Sequence, residues 1–519
     1  MDITGEASIE RSVCAVGGWT MKTLKRLLEP RFLTGILCAP VVLLSGLAAQ
    51  NTQTSHAPQA AVPTNPLHPL TVIVSAAPTV LYPPEAGTNA HSKAAIIAPE
   101  KNMADRLYPD GVHLLLLQAG KATPLVPEFV ASADANVSFD GKSILFAGKK
   151  TSADRWQIWE LEIAEHKLRK VIGGTTNYFH PLYLPGRRLV YSRQTSHGFE
   201  LEAALYDGTD RLALSHLGSQ GTPVDVVAED VLEDGRILFQ TGFPMGVSGG
   251  STIRPELYLV YSDGSGVESY RCDHAATQKL GGRWGGRQWS QGSFAGDVLF
   301  THGRTLGRFS SPFASEVSMA APAAEYAGLT ETPSGDAIVS ARHTARDRFS
   351  LMLLRPGTRI WKSFYAQPGM NLVEPVVVSS RVIPRRHPTA LHPWTTANLM
   401  ALDVRISRDG NLTTLPSKVQ VEALGASGQA IVLGTAPVAE DGSYFVTVPG
   451  DKPIRFALLN AQGRIMRAQR GWFWARAGEQ RICVGCHSGP EQAPENHLPG
   501  ILLKTTVPVN LSGEAEGQK

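Results

Sequence analysis

The sequence has little of what several common classes of protein require. It contains only 5 cysteines in 519 residues, too few for a disulfide framework. Charged residues make up 18%, and the net charge of +3 does not favour a nucleic-acid partner. After residue 49 no segment stays apolar for the roughly 18 residues that a membrane-spanning helix needs. The apolar fraction is 43%, which is enough for a packed core and excludes a mostly disordered chain.

The residues that are abundant favour strands and turns. Fifty Gly and 35 Pro argue against long helices, and 9 Trp, 12 Tyr and 17 Phe suit strands. At roughly 100–200 residues per domain, the length predicts two to four domains.

The N-terminal region has the features of an export signal. In residues 21–49 a basic stretch precedes an apolar run, Phe32–Leu44, and small residues follow it. We predict a signal peptide within residues 1–49, with Met21 as an alternative start, and a linker over residues 50–69. The mature form is then expected to be soluble, not membrane-spanning, and periplasmic or otherwise exported; an uncleaved anchor is the alternative.

A short pattern recurs about every 45 residues, a turn containing Gly followed by three aliphatic or aromatic residues. Its copies are Ile144–Phe146, Leu189–Tyr191, Ile237–Phe239, Val298–Phe300 and Ala337–Val339. A second pattern, two strands joined by a polar turn, interleaves with the first. Its copies begin near His113, Gln157, Glu200, Glu256 and Ser350, with a weaker one near Arg304. Such a period, with about four strands per unit, is typical of a β-propeller.

We therefore predict an all-β protein with a six-bladed propeller over residues 70–380. Strands from residues 70–76 and 372–379 are expected to close one blade between them. The strings VSFDGKSILF, QIWELEI and HPLYLPGRRLVYS resemble the TolB-type (PD40) repeats of periplasmic propellers. This resemblance implies a fold and no particular activity, because propellers host many functions.

The region after the propeller is also rich in strand patterns. Residues 380–395 are rich in Pro and basic residues and are interpreted as a connector. Residues 396–480 contain six short apolar segments, which predict a small β-sandwich. We expect this sandwich to act as a packing platform for the C-terminal segment.

Residues 481–519 contain the motif that indicates chemistry, Cys483-Val484-Gly485-Cys486-His487. The C-x-x-C-H string is the attachment motif of a c-type haem. On one turn of helix, Cys483 and Cys486 can each bond a vinyl group of one porphyrin, and His487 can bind the iron from one face. The predicted cofactor is therefore one covalent haem c.

Two other uses of this motif remain as alternatives. A redox-active disulfide between Cys483 and Cys486 gives no role to His487 and lacks a thioredoxin-like context. A zinc site needs further paired Cys or His ligands. Cys272, far away in the chain, is interpreted as a buried thiol.

The sixth iron ligand is open at this level. His497 and Met466 are the two candidates that we favour, and His387 and His392 are others. A His or Met ligand would make a low-spin electron carrier, whereas an open position would allow small-molecule chemistry. Trp472–Trp474, just before the motif, are expected either to line the haem edge or to lie in the sandwich core.

The strings PVAEDGSYFVTVPGDKPIRFALLNAQGR and GWFWARAGEQRICVGCHSGPEQAPEN resemble the hydrazine synthase alpha-subunit middle-domain family. With the TolB-like repeats, this resemblance extends over about residues 105–500. It implies that Cys483 and Cys486 form the thioethers and that His487 is the proximal iron ligand. It also implies a further haem-bearing domain before the propeller in hydrazine synthase itself. Residues 50–105 contain no cysteine, so we do not predict hydrazine synthesis.

Two further motifs are interpreted as structural. Gly246–Gly250 matches G-x-S-x-G but lacks the strand–helix context of a nucleophile elbow, and Gly281–Arg287 lacks the Lys-Ser/Thr of a phosphate loop. Both are predicted to be loops.

The sequence thus supports three functions. The first is an exported monohaem cytochrome that transfers electrons to or from an unknown redox partner, with the propeller as a docking or substrate platform. The second is a haem-dependent oxidoreductase acting on a small nitrogen or oxygen compound. The third is a TolB-like interaction scaffold with a structural haem.

Overall fold

A computed structural model describes most of the chain after the predicted linker. The described residues are 70–78, 111–216, 224–245, 252–270, 283–302, 304–312, 314–387, 389, 391–407, 410–469, 471–485 and 498–513. All of them belong to one compact unit, Pro63–Lys519. The predicted signal peptide and linker lie outside the described residues, as does Cys272.

Residues 72–377 form antiparallel strands of the length typical of propeller blades. The first twelve strands are β1 (Val72–Ala77), β2 (His113–Gln118), β3 (Lys121–Pro124), β4 (Ala131–Val137), β5 (Ser143–Lys149), β6 (Gln157–Glu162), β7 (Lys167–Ile172), β8 (Tyr178–Leu184), β9 (Arg188–Thr195), β10 (Gly198–Leu205), β11 (Leu212–Ala213) and β12 (Val224–Val231). The next twelve are β13 (Ile237–Met245), β14 (Thr252–Val260), β15 (Glu268–Ser269), β16 (Arg283–Gln288), β17 (Val298–His302), β18 (Thr305–Phe309), β19 (Val317–Met319), β20 (Glu325–Glu331), β21 (Ala337–Arg342), β22 (Ser350–Leu354), β23 (Trp361–Tyr365) and β24 (Asn371–Val377). One short 3-10 helix, Gly292–Phe294, precedes β17.

These strands associate in successive groups of four. Four groups are separate sheets, with the orders β24-β1-β2-β3, β4-β5-β6-β7, β16-β17-β18-β19 and β20-β21-β22-β23. The groups β8–β11 and β12–β15 share one eight-stranded sheet, because a short parallel contact joins Gly198–Phe199 to Val224–Asp225. The predicted all-β class is confirmed for the part of the chain that is described.

The first group contains strands from both ends of this region. β1 pairs antiparallel with β24, with Val72 opposite Val377, and also with β2. The predicted closure by residues 70–76 and 372–379 is therefore confirmed at the level of strand pairing. It ties the start of the repeat region to its end without a covalent link.

The first strand of each group lies beside the first strand of the next. In this order β24, β4, β8, β12, β16 and β20 are in contact, and β20 also contacts β24. Each of these strands has an irregular register with its partner near the middle. Such irregularities are expected of β-bulges, in which one strand has an extra residue.

A buried charge cluster joins β14 to the group β16–β19. The Arg283 side chain is fully buried, and its guanidinium donates to Glu256 at 2.9 Å and to Glu316 at 2.8 Å. Glu316 also contacts Nδ1 of His302 at 2.5 Å. Because the buried charges are mutually paired, removing one would leave another unpaired in a low-dielectric surrounding.

Residues after 395 form a second, smaller body of strands. They are β25 (Thr396–Asp403), β26 (Lys418–Leu424), β27 (Ala430–Pro437), β28 (Tyr444–Pro449), β29 (Ile454–Leu459), β30 (Ile465–Ala468), β31 (Gln480–Gly485) and β32 (Val509–Asn510), with one short helix, α1 (Gly500–Lys504). Two four-stranded sheets result, in the orders β31-β25-β28-β32 and β27-β26-β29-β30. Leu399 and Val446 of the first share one buried cluster with Val421 and Leu458 of the second. This is the arrangement of a small β-sandwich.

The sandwich packs directly on the eight-stranded sheet. Trp472 and Trp474 belong to the same buried cluster as Phe239 and Tyr258. The Tyr258 hydroxyl donates to the carbonyl oxygen of Trp472 at 3.3 Å, and the rings of Phe239 and Trp474 lie 5.9 Å apart. We call this cluster of four aromatic residues the junction.

The connector runs along turns of the repeat region. The Arg381 amide donates to the carbonyl oxygen of Phe139 at 2.8 Å, and the Arg385 amide donates to that of Glu233 at 3.0 Å. Backbone hydrogen bonds therefore hold this proline-rich segment in place. Among the described residues, no helix has the length and apolar character needed to cross a bilayer.

Candidate functional site

Cys483 lies on β31, an edge strand of the sandwich. β31 runs parallel to β25, and Cys483 is opposite Ala401. The sequence analysis placed both cysteines of the motif on one turn of helix, and for Cys483 this expectation is wrong. The parallel partner supplies hydrogen bonds that a local helix would otherwise have to provide. The segment is therefore extended up to Gly485.

Gly485 fixes how closely β31 approaches the body of the sandwich. A Cβ atom at this position would lie 2.7 Å from the carbonyl oxygen of Ile406 and 2.9 Å from that of Asp403. Only glycine allows this backbone contact without displacement. Gly485, which lies between the two cysteines, thus anchors the strand that contains Cys483.

The Cys483 thiol is half-buried beside a buried ion pair. Arg481 donates through Nε to Glu479 at 2.8 Å and through Nη1 to the carbonyl oxygen of Val267 at 3.0 Å. Burial raises the pKa of Cys483, against the opposing effect of the Arg481 charge, and Glu268 and Glu479 raise it further. The thiol is therefore protonated at neutral pH. Thiol–disulfide oxidoreductases need the opposite shift, so this environment disfavours the redox-disulfide alternative.

Charges from both bodies of strands act on Cys483. Glu268 belongs to β15 of the eight-stranded sheet, whereas Arg481 belongs to β31. The amide of Gly266 donates to Glu479 at 3.2 Å, which joins the two bodies close to the motif. The first cysteine of the motif therefore lies beside the junction.

The other predicted ligands are only partly visible. Cys486, His487 and His497 lie outside the described residues. Met466 is half-buried on β30, the edge strand of the sheet that does not contain Cys483. Its role as a sixth ligand stays a prediction.

Two other histidines near the motif have aromatic neighbours. His387 stacks on Tyr261 with ring centroids 3.8 Å apart, and His392 stacks on Trp394 at 4.5 Å. Both rings already have a packing role.

The aromatic residues before the motif divide between two places. Trp472 and Trp474 are buried in the junction, against the eight-stranded sheet. Phe473 instead forms a bridge to Ile454 and packs on Phe456 at 5.5 Å, inside the sandwich. Phe473 thus lies in the sandwich core, which is one of its two expected places. Trp472 and Trp474 lie in the junction and not in the sandwich core, and a haem edge beside these residues stays a prediction.

The structure also tests part of the prediction that the two glycine-rich motifs are loops. Residues 246–250 lie outside the described residues. Arg283–Gln288 form β16, so the predicted loop at 281–287 is wrong for this part. The amide of Gly285 donates to the Glu229 carboxylate at 3.1 Å, which occupies the donor that an anion would need.

A polar cluster that the sequence analysis missed lies at the centre of the ring of first strands. Asp134, His180 and Glu374 come from β4, β8 and β24, and their ligand-type atoms lie within 4.8 Å of one another. The His180 amide donates to Oδ2 of Asp134 at 2.9 Å, and Nδ1 of His180 lies 3.2 Å from Oδ1. No spacing motif links residues so far apart, so the sequence contained no signal for this cluster.

Comparison with known proteins places the motif in a recognised family context. Residues 398–488 match the family model described as the hydrazine synthase alpha subunit middle domain. This span includes most of the sandwich and the whole Cys483–His487 motif. The resemblance that the sequence showed is confirmed for these residues.

The fold as a whole is similar to that of solved proteins. Hydrazine synthase of Kuenenia stuttgartiensis matches with a TM-score of 0.64 and 16% identity, over 84% of this chain and 71% of that one. TolB of Acinetobacter baumannii matches with a TM-score of 0.41 and 11% identity, over 60% of this chain and 67% of that one. No curated protein matches the chain. At these identities the first likeness shows a shared fold, and the TolB score supports no further argument.

Proposed function

We propose that this is an exported monohaem cytochrome whose haem c is attached at Cys483 and Cys486, with His487 as the proximal iron ligand. The haem would supply one-electron redox chemistry when bound. The observation that supports this most directly is the position of Cys483 on an edge strand beside the junction. There an attached group can lie against both bodies of strands.

The packing of the sandwich explains why attachment would have to be covalent. Leu399, Val446, Val421 and Leu458 are all at most 2% exposed, so the space between the two sheets is filled by the chain's own side chains. A porphyrin would therefore lie outside this core, where burial alone retains it poorly. Thioether bonds from the edge strand remove that difficulty.

The surroundings of Cys483 suit an uncharged macrocycle edge. Ile482, the preceding residue on β31, is 63% exposed and offers an apolar surface next to the first cysteine. Arg481 is held by Glu479 and Val267, so its charge is already balanced. These residues would orient the bound group and limit water at one edge of it.

We further infer that the six groups of four strands are the blades of one TolB-like propeller. The closed ring of first strands and the pairing of β1 with β24 support this. The propeller would then dock a redox partner or substrate on one of its ends, with electrons entering and leaving singly through the haem.

A haem-dependent oxidoreductase is the second candidate. The match of residues 398–488 to a hydrazine synthase middle domain favours it, because that family name denotes an enzyme. The two candidates differ in whether the sixth iron position is filled by the chain. We propose His497 or Met466 as the filling ligand in an electron carrier.

The attachment is tested by expressing the exported protein in a host that matures c-type cytochromes. We expect an intact mass increased by one haem and a pyridine haemochrome spectrum of the c type. The Cys483→Ala/Cys486→Ala variant should lose both, whereas Cys272→Ala, a cysteine outside the motif, should keep them. Bare polypeptide in the wild type would refute the proposal.

Carbon monoxide separates the two functions once haem is present. A low-spin reduced spectrum that carbon monoxide leaves unchanged supports the carrier, and rapid binding supports the enzyme. In the carrier, replacing the true sixth ligand by alanine opens the iron to carbon monoxide. Only one of Met466→Ala and His497→Ala should do so.

A further inference from the structure

The centre of the ring of first strands brings together three donor side chains from three different groups of strands. Asp134 is on β4, His180 on β8 and Glu374 on β24, and these strands are neighbours in the ring. Their donor atoms lie within 4.8 Å of one another. The Asp134 and His180 side chains are 2% and 11% exposed.

The backbone at each of these residues departs from the regular strand conformation. All three have positive φ values, 59° for Asp134, 47° for His180 and 53° for Glu374. In β4, β8 and β24 the register shifts at or next to them, as expected of a β-bulge. A positive φ is unfavourable for residues other than glycine, and such positions concentrate at functional sites.

A neighbouring glycine holds Glu374 in place. Gly328 on β20 has a φ of 111°, and a Cβ atom there would lie 2.9 Å from the Cα of Glu374. Only glycine lets β20 approach so closely, so the Glu374 backbone has little freedom to move. Glu374 is therefore positioned both by the bulge in its own strand, β24, and by the close approach of Gly328 on β20.

The donor set favours one class of cation. One imidazole with two carboxylates suits zinc or a similar divalent first-row metal, whereas calcium and magnesium prefer oxygen donors alone. Donors around tetrahedral zinc lie about 3.4 Å apart, which is close to the 3.2 Å between Nδ1 of His180 and Oδ1 of Asp134. Three protein ligands leave a position for water.

We propose that Asp134, His180 and Glu374 bind one divalent transition-metal ion, with zinc the best fit, that ties the first three groups of strands together at the centre of the ring. Because β24 closes the ring with β1, the ion would link the closing group to the two groups that come after it. This site is separate from the Cys483–His487 motif and does not depend on haem.

The experiment uses the full-length protein as purified from the exporting host, stripped with a chelator and then given zinc chloride. After gel filtration we expect one zinc per chain by mass spectrometry, and a rise in Tm on the order of 3–5 °C at saturating zinc. Calcium chloride should cause no such rise. His180→Gln and Glu374→Gln should both lose this zinc and the Tm response.

His166→Gln is the matched control, because His166 also has a positive φ, 51°, but is exposed on a turn. It should retain the zinc. Equal zinc retention by wild type and His180→Gln, or no zinc in wild type, would overturn the proposal and leave an ordinary buried ion pair.

A second measurement decides the matter if the variants fail to fold. X-ray absorption at the zinc edge of the wild-type protein should show one imidazole nitrogen and carboxylate oxygens, without sulfur. Sulfur or several imidazoles bound to the zinc would place the metal elsewhere, for example at the cysteine motif, and refute the site.

Discussion

The junction between the repeat region and the sandwich should contribute a large share of the stability, and Trp474→Ala tests this. Trp474 is 0% exposed and packs on Phe239 at 5.9 Å, in a cluster that also includes Tyr258. Replacing a buried tryptophan by alanine typically costs about 3–5 kcal/mol, because apolar contacts are lost and a cavity remains. For a chain of this size that corresponds to a fall in Tm of about 3–5 °C.

Thermal and urea unfolding, followed by circular dichroism, measure this loss. The conservative Trp474→Phe variant should lose less than half as much, because it leaves a smaller cavity. Trp394→Ala is the matched control: Trp394 is half-buried and stacks on His392, so its loss should stay below about 1 kcal/mol.

Two results would refute this reasoning. One is an unchanged Tm for Trp474→Ala, which would mean that the cluster closes over the missing ring. The other is an equal loss for Trp394→Ala, which would mean that burial at the junction is not the cause. A split into two separate transitions in Trp474→Ala would instead show that the junction couples the two bodies.

Two further predictions concern the turns and the buried charges. An added Cβ at Gly235 would overlap the carbonyl oxygen of Arg385, whereas at Gly369 it meets nothing within 4 Å, although both have positive φ. Gly235→Ala should therefore lose at least about 1 kcal/mol more in urea unfolding than Gly369→Ala, and equal losses would contradict a docked connector. Burial raises the pKa of Glu316, but the bonds and charges of His302 and Arg283 outweigh it and lower the pKa below 4.5. The stabilisation that ionised Glu316 supplies is thus present above pH 4.5 and is lost as the pH falls through the lower pKa of the folded state. Glu316→Gln should therefore lower the free energy of unfolding by about 3 kcal/mol at pH 7 and flatten the acid limb of the curve of stability against pH. Glu165→Gln, a change at an exposed position, should do neither. An unchanged acid limb in Glu316→Gln would exclude this cluster as the cause.

The local strand patterns were predictable because their causes are local. Each recurring aliphatic triplet is the second strand of a group, as in β5 and β9, and each predicted two-strand copy begins a third strand, as in β6 and β10. Alternating side chains and Asp-Gly turns encode such hairpins within about 15 residues. The C-x-x-C-H motif is local in the same way, so its chemistry is a prediction from sequence that the described residues leave open.

Tertiary structure alone decided what depends on distant parts of the chain. Cys483 is extended and not helical because β25, about 80 residues earlier, pairs with it. Trp474 lies in the junction because the fold brings Phe239, more than 200 residues earlier in the chain, into contact with it. Asp134, His180 and Glu374 converge only because the first strands form a ring with a bulge at each of these positions. Spacing along a sequence contains no trace of such convergence, since it arises from the packing of whole sheets.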